Sequence, residues 1–428
     1  MPHPEIVITG IGVVSPIGVG REAFAQSLLQ QKSGVGPIVS FDASGLPVHS
    51  AAEVRDFDSR RFIPNRKSVK VMARDSQLGV AASVLAWKDA GLDSAGVDPD
   101  RVAIVLGADR ICGALEDSQP TYEACMVEGR FHFERWATAG MPATFPLVFL
   151  KVLPNMIASH ISIAVDARGP NNTIHHGDIS ALLAIIEGAS LLERGLADVV
   201  LVGGASSQMN PFDFARFAVL GRFSRAVDNG CPGPRPFDRR RDGEVRGETA
   251  AILVLERAEH ARARGASHWG TILGWGRCHA PLDNNHAFPS LSRAMSLAMH
   301  DAGLRQKEIG QVNAHGLATE EDDIRESRAI LETLKDVPVT APKSYFGNTG
   351  AANGAAELAV SLVLGRQRLI PPTLHCDEVD PRCPINVVHN GPRSLDSPFV
   401  LTVNWTLAGQ AAALAVEVAT GHEGASQS

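Results

Sequence analysis

Read for its alternation of apolar and polar positions, the chain divides into short apolar runs and longer amphipathic segments. Glu5 to Ser15 (EIVITGIGVVS) is a β-branched run stopped by Pro16 and Gly18, the pattern of a buried strand. Arg21 to Lys32 has the period of an amphipathic helix, and residues 36 to 66 are irregular and rich in Gly, Pro and Asp. Val71 to Leu92 is a long helix closed by Gly91, followed by a second buried strand from Arg101 to Gly107 (RVAIVLG). Residues 108 to 150 read as an insertion carrying Tyr122, Phe131, Phe133, Trp136, Phe145 and Phe149. Leu153 to Val165 is a helix. Ala197 to Gly204 and Ala250 to Glu256 are strands, separated by a loop-rich stretch from 207 to 249.

The chain is organised around GPNNTIHHGDIS at 169 to 180. Thr173 to His176 is a strand end, Gly177 permits a sharp turn, and Ile179 to Glu193 is a helix apolar enough to be buried nearly all round. A polar residue at such a corner lies where free N–H groups converge and the helix dipole favours negative charge. That residue is Asp178.

The second half repeats the first. Leu85 to Leu92 (LAWKDAGL) precedes a strand ending in Gly107, and Leu297 to Leu304 (LAMHDAGL) precedes Gln311 to Gly316 (QVNAHG). Each copy leads to a small-residue helix, at 178–193 and at 351–366. The reading is a duplicated α/β unit with mixed sheets between helix layers: an N-terminal half over 1–260, a C-terminal half over 261–420, and a polar, disordered tail over 421–428.

Composition narrows the classes. A length of 428 residues, 44% hydrophobic and 20% charged, is globular. A net charge of −7 gives no reason to expect nucleic acid or an anionic membrane as partner. Six cysteines (112, 125, 231, 278, 376 and 383) without a CxxC pair read as reduced thiols of a cytoplasmic protein, not as a zinc site. Met1 to Glu5 is no signal peptide, and Glu187 and Glu193 interrupt the most apolar helix, so no membrane insertion is expected.

Six segments then match one family in order and spacing: ITGIGVVSPIG at the start, RGPN, ADVVLVGGASS, RPFDRRRDGEVRGE at 235–248, VNAHGLAT at 312–319 and PKSYFGNTGAANGAAE at 342–357. From about residue 5 to 417 the chain resembles the elongating β-ketoacyl-acyl carrier protein synthases. The resemblance implies a thiolase fold, a five-layered α-β-α-β-α sandwich, formed as a homodimer or as a heterodimer with a Cys-bearing ketosynthase. It implies substrates carried on the phosphopantetheine of acyl carrier protein, with no cofactor and no metal of the protein's own.

The same resemblance assigns roles. It puts Asp178 where the family has its nucleophilic cysteine, keeps the first catalytic histidine as His315, and has Asn348 in place of the second. Lys343 is the retained lysine and Glu248 the loop glutamate. Phe217 corresponds to a pocket-lining position and Thr319 to a pantetheine-contacting threonine whose companion has become Leu317. The C-terminal gate is Asn404 to Gln410, with Thr406, Leu407 and Ala408 facing substrate.

Asp178 suits condensation poorly, since an aspartyl adduct would be a mixed anhydride whereas a thiolate is both nucleophile and leaving group. His315 and an Asn348 amide could polarise a thioester oxygen, and Asp178 could act as a general base. Burial and the helix terminus push its pKa in opposite directions. The plain alternative makes Asp178 a helix N-cap in a dead site. His175 and His176 point to opposite sides of a strand, which disfavours a shared metal. Lys343 with Glu248 or Glu320 reads as a buried pair, Phe217 as core, and the Arg235–Arg246 cluster as internally paired, though exposed arginines there could receive an acidic carrier protein. Three functions follow: decarboxylation, hydrolysis or related thioester chemistry by Asp178, His315 and Asn348; a silent chain-length-factor-like subunit beside a Cys-bearing ketosynthase; or condensation through another nucleophile such as Cys112.

Overall fold

A computed structural model describes residues 4–281 and 288–420. The tail predicted over 421–428 lies outside the described residues. Eleven strands carry the architecture. In the first half they are β1 (Ile6–Ser15), β2 (Val102–Ala108), β3 (Asn171–Ile174), β4 (Val199–Ser207) and β5 (Glu248–Arg257). In the second they are β6 (Gly270–His279), β7 (Ile309–Asn313), β8 (Pro338–Thr340), β9 (Asn386–Val387), β10 (Phe399–Trp405) and β11 (Gln410–Val418).

From the middle outward the order is β1-β5-β4-β2-β3 on one side and β6-β11-β10-β7-β8-β9 on the other. In each half the first two pairings are antiparallel and those that follow are parallel. The two sheets join where β1 pairs with β6, Ile6 opposite Ile272. The unit is therefore duplicated, as the sequence predicts.

Side chains alternate between layers with period two. On β2, Val105 enters a central core while Ile104 and Leu106 face an outer one. On β10, Val400 faces the central core and Leu401 and Val403 the opposite outer one. The central core holds two nearly all-buried helices, α2 (Ser180–Glu193) and α5 (Asn353–Gly365). Outer layers are formed by α1 (Arg74–Asp89) on one side, and by α3 (Pro289–Asp301) and α4 (Glu320–Leu334) on the other. This gives five layers. No described helix is long and apolar enough to cross a membrane.

The repeated DAGL has a physical meaning here. Asp89 Oδ2 accepts the Ile11 N–H at 2.9 Å and Asp301 Oδ2 accepts the Trp275 N–H at 3.0 Å. Both acceptors end a helix laid directly on the first strand of its half, next to a register shift in that strand. The close approach requires glycine: a Cβ on Gly12 would lie 1.9 Å from the Ala82 carbonyl oxygen, and one on Gly276 2.0 Å from that of Ala294.

Two stretches differ from expectation. The segment 207–249 is not loop alone but includes the helix Pro211–Val219, whose Asn210 cap accepts the Phe212 N–H. The insertion folds as the helix Leu115–Ala124, a short hairpin and a series of short helical turns, the last of these leaving Phe133, Met141 and Phe149 exposed.

Gly12→Ala and Gly276→Ala should each destabilise the fold by about 1–3 kcal/mol through overpacking. Gly45→Ala, with open space around its Cβ position, should be neutral. Thermal denaturation of the three variants checks this, and equal melting temperatures would contradict the close-approach account.

Candidate active site

The C-terminal ends of β2 and β3 in one half, and of β7 and β8 in the other, converge on the N-termini of α2 and α5. Crevices at the carboxyl ends of parallel strands are the usual ligand sites of α/β sheets. Asp178 occupies the 3₁₀ turn Gly177–Ile179 that leads into α2, with Gly177 at a φ of +55°. The N-cap reading of Asp178 is not what the structure shows. Ser180 Oγ accepts the His176 N–H at 2.8 Å, while no side-chain cap bond is made by Asp178. Its carboxylate instead turns into the crevice, 24% exposed, with Oδ2 3.6 Å from His315 Nε2 and Oδ1 accepting the Asn353 amide at 3.3 Å.

His315 follows β7 and is fully buried. Glu326 on α4 clamps its loop, accepting the His315 N–H at 2.6 Å and the Gly316 N–H at 2.8 Å. Burial of that acceptor pushes the Glu326 carboxyl up to about 8. Two donors face His315 Nδ1: the Lys343 ammonium at 2.9 Å and the Asn404 amide at 3.0 Å. Nδ1 must accept, so the neutral ring carries its proton on Nε2. That Nε2 has no hydrogen-bond partner among the described residues, since 3.6 Å exceeds hydrogen-bonding distance. Burial, then the Lys343 charge, hold the imidazole below its ordinary pKa despite Asp178. At Asp178 burial pushes the pKa up, but contact with the His315 ring and the charges of Arg246 and Lys343 prevail, and it is held below the usual carboxylate range.

Lys343 pairs with Glu357, not with Glu248 or Glu320 as the sequence reading allows, and also donates to the His315 carbonyl at 2.7 Å. Glu357 Oε2 in turn accepts from Asn404 at 2.7 Å. Glu248 stays away from the corner. It is a strand residue that ties Arg74, the Val54 N–H and the Ser207 hydroxyl together. Glu320 is exposed and paired with Arg382.

Asn348 is one step removed. Its amide donates to Glu244 at 2.9 Å, and its oxygen accepts from Gly350 N–H and from Asn353. The amide that touches Asp178 belongs to Asn353, a residue the sequence reading missed. The signal for Asn353 was one amide at the start of an otherwise apolar helix.

The remaining candidates frame the corner. Thr406 lies over it, its methyl 3.9 Å from where a Gly177 Cβ would stand. Leu407 and Ala408 form the exposed turn beyond, where the Ala408 carbonyl accepts from His279. The Thr319 hydroxyl donates to Asp322 at 2.6 Å. Phe217 is half-buried beneath the Arg246 guanidinium, 3.6 Å from its ring centre, rather than in the core.

The Arg235–Arg246 cluster is paired, largely with partners outside itself: Arg239 with Glu378, Arg240 with Asp377 and Arg241 with Asp380. β3 ends at Ile174, so His175 and His176 lie beyond the strand predicted to carry them; they diverge there, one to the Ala108 carbonyl and the other to Gln410. No cluster of three His, Cys, Asp or Glu side chains suited to a metal occurs among the described residues. Cys112 is held as a thiol, donating to Asp213 at 3.1 Å, and burial pushes it up to about 12.

Comparison with known proteins agrees with this architecture. The family description "Beta-ketoacyl synthase, N-terminal domain" matches residues 3–261, and "Beta-ketoacyl synthase, C-terminal domain" matches 272–377. A 3-oxoacyl-[acyl-carrier-protein] synthase 2 of Coxiella burnetii is 31% identical over 96% of this chain and 97% of its own. Two solved structures superpose along 97% of this chain and 100% of theirs, each at 29% identity. They are the ishigamide ketosynthase/chain length factor, with a TM-score of 0.86, and a β-ketoacyl synthase from Burkholderia phymatum, with a TM-score of 0.87. The fold is thiolase-like, and the chain belongs to the β-ketoacyl synthase family, ketosynthase-like proteins of fatty acid and polyketide synthesis.

Proposed function

We propose that the protein decarboxylates or hydrolyses acyl or malonyl thioesters presented on the phosphopantetheine of an acyl carrier protein, instead of condensing them. The observation that carries this reading is the buried, unpartnered Nε2–H of His315, fixed in direction by Lys343 and Asn404 and pointed at Asp178. A thioester oxygen accepting that N–H would have the charge of its enolate or tetrahedral adduct stabilised in a buried site. Asp178 takes the position at which the family resemblance expects a cysteine. Ionised, it can draw a proton from water attacking the thioester carbon, and return it to the departing thiolate. It cannot carry an acyl group with a thiolate's reversibility. The carrier-protein partner is supported by the name of the Coxiella relative.

One observation favours a second reading. Similarity to a ketosynthase/chain length factor structure fits a subunit that pairs with a Cys-bearing ketosynthase and shapes its pocket. The two readings separate in one assay, in which purified protein is incubated with malonyl-carrier protein while CO2 and free thiol are measured.

His315→Ala should lower both outputs roughly 10²–10³-fold, the cost of losing one oxyanion donor. Asp178→Asn should lower thiol release while sparing CO2 release. Unchanged rates in His315→Ala would refute the catalytic reading, and a wild-type protein silent on both outputs would favour the partner role.

The pH dependence has a definite sign. With Asp178 held below and His315 also held below their ordinary ranges, the carboxylate is ionised and the imidazole neutral at neutral pH. Thiol release should run flat through about pH 6–7, where an unperturbed histidine titrates. It should fall only as the pH drops through the lowered Asp178 value. A step near pH 6.5 would contradict the neutral imidazole. Cys112→Ser should retain turnover, as a thiol pushed up to about 12 supplies no thiolate.

A further inference from the structure

The duplication places a second acidic group in the crevice. Gly107 pairs with Ile174 on the neighbouring strand as Asn313 pairs with Thr340, so the residue two positions on is Asp109 in one half and His315 in the other. The correspondence extends to their contacts. Gly107 also pairs with Gly204, and Asn313 with Thr402, which makes Ser206 the counterpart of Asn404. Ser206 donates to Asp109 Oδ2 at 3.0 Å as Asn404 donates to His315 Nδ1. Ala351, two residues before α5 as Asp178 is two before α2, gives its N–H to the same Asp109 oxygen at 2.7 Å.

Asp109 is thus fixed on the turn whose next helical residue, Asn353, holds Asp178. The turn is shaped around it. Gly350 has a φ of +58°, and a Cβ there would lie 2.0 Å from Asp109 Oδ2. Asp109 Oδ1 takes no hydrogen bond from any described residue and is free to face a ligand.

We propose that Asp109 is a catalytic proton donor of this corner, protonating the α-carbon of the enolate left when a malonyl-type thioester loses CO2. This rests on the thioester chemistry proposed above and names its substrate as a β-carboxyacyl thioester. The bond between the α-carbon and the carboxylate breaks, its electron pair enters the enolate, and CO2 departs. The Asp109 O–H bond then breaks, its proton joins the α-carbon, and the resulting carboxylate is reprotonated from solvent.

Hydrolysis needs no such acid, because the proton taken from water is returned to the thiol. Decarboxylation consumes a proton, and the other groups at the corner are committed. His315 Nε2–H serves the oxygen, Asp178 is ionised, and Lys343 is bound to Glu357 and His315. Burial pushes the Asp109 carboxyl up and the charge of Asp178 adds to the shift, opposed by the Ala351 N–H, Ser206 and His175. Asp75, pushed up to about 7, is the further carboxyl interacting with Asp109, and Arg246 acts on the Asp178 side. Two carboxyls driven apart in this way divide into acid and base.

The test uses the full chain with methylmalonyl-pantetheine in D2O, reading CO2, free thiol and the configuration of the 2-deuteriopropionyl product. Wild type should release CO2 and give one configuration. Asp109→Asn, which keeps an acceptor for Ser206 and Ala351, should give product of mixed configuration or lose about 10²-fold in product formation. Unchanged configuration and rate would overturn the proposal. Free thiol without CO2 would overturn it while leaving the thioester reading standing, and neither output would overturn both. Carboxyl-¹³C NMR supplies a measurement independent of turnover. Asp178→Asn should move the Asp109 titration to lower pH, and an unmoved titration would remove the coupling on which the proposal stands.

Discussion

Lys343 is buried against Glu357, the His315 carbonyl and His315 Nδ1, and the direction of the His315 ring follows from that placement. An ammonium has only protons to offer, so the nitrogen it faces must accept. With Nδ1 fixed as acceptor, the ring proton is forced to Nε2, the side that faces Asp178. The ammonium is tolerated in the core because Glu357 neutralises it and Asn404 satisfies the second carboxylate oxygen. Removing either partner would leave a buried charge unmatched, a far larger penalty than the loss of one surface ion pair.

The duplication explains why such a network lies so close to Asp178. Each half delivers two parallel strand ends and one helix N-terminus to the same place, and the β1–β6 pairing brings the halves together. His315 and Asp109 are equivalent by register, as are Asn404 and Ser206. One half has filled its positions with an imidazole pinned by a cation, the other with a carboxyl pinned by a hydroxyl and an amide N–H. An ancestral repeat needs no chemistry to produce this arrangement. Strand register and the glycine-mediated approach of α1 and α3 are sufficient.

What could be read from sequence followed from local physics. The apolar runs of β1, β2, β4 and β5 and the helix after Asp178 are periodic enough to declare themselves, and DAGL marked the repeat because its aspartate has a structural task in both halves. The helix Pro211–Val219 was hidden by its surroundings of Gly, Pro and charge, although Asn210-Pro211 is a start signal. The motifs named residues along the chain, but not the contacts those residues make. Lys343 chose Glu357 over Glu248 because α5 and the turn after β8 are neighbours in space, which no spacing in the sequence expresses. Asn348 and Asn353 lie five residues apart, and only the helical turn between them decides which amide reaches Asp178. Asp109 gave no signal beyond a charge ending a buried strand, and its importance emerges only with the register of β2 against β3.

The unfilled donor bears on the choice between an active and a silent corner. A buried N–H without a partner costs about 1–3 kcal/mol. The means of satisfying it stands close by, since Asp178 Oδ2 would need to approach His315 Nε2 by only a few tenths of an ångström to reach hydrogen-bonding distance. In the structure it stands off at 3.6 Å while the Asn353 amide holds the other oxygen, and Asn353 is itself tied through Asn348 to Glu244. Stability alone would favour closing that gap. On the thioester chemistry proposed above, a gap bounded by three successive hydrogen-bonded side chains leaves that donor available for an oxygen that arrives with the substrate.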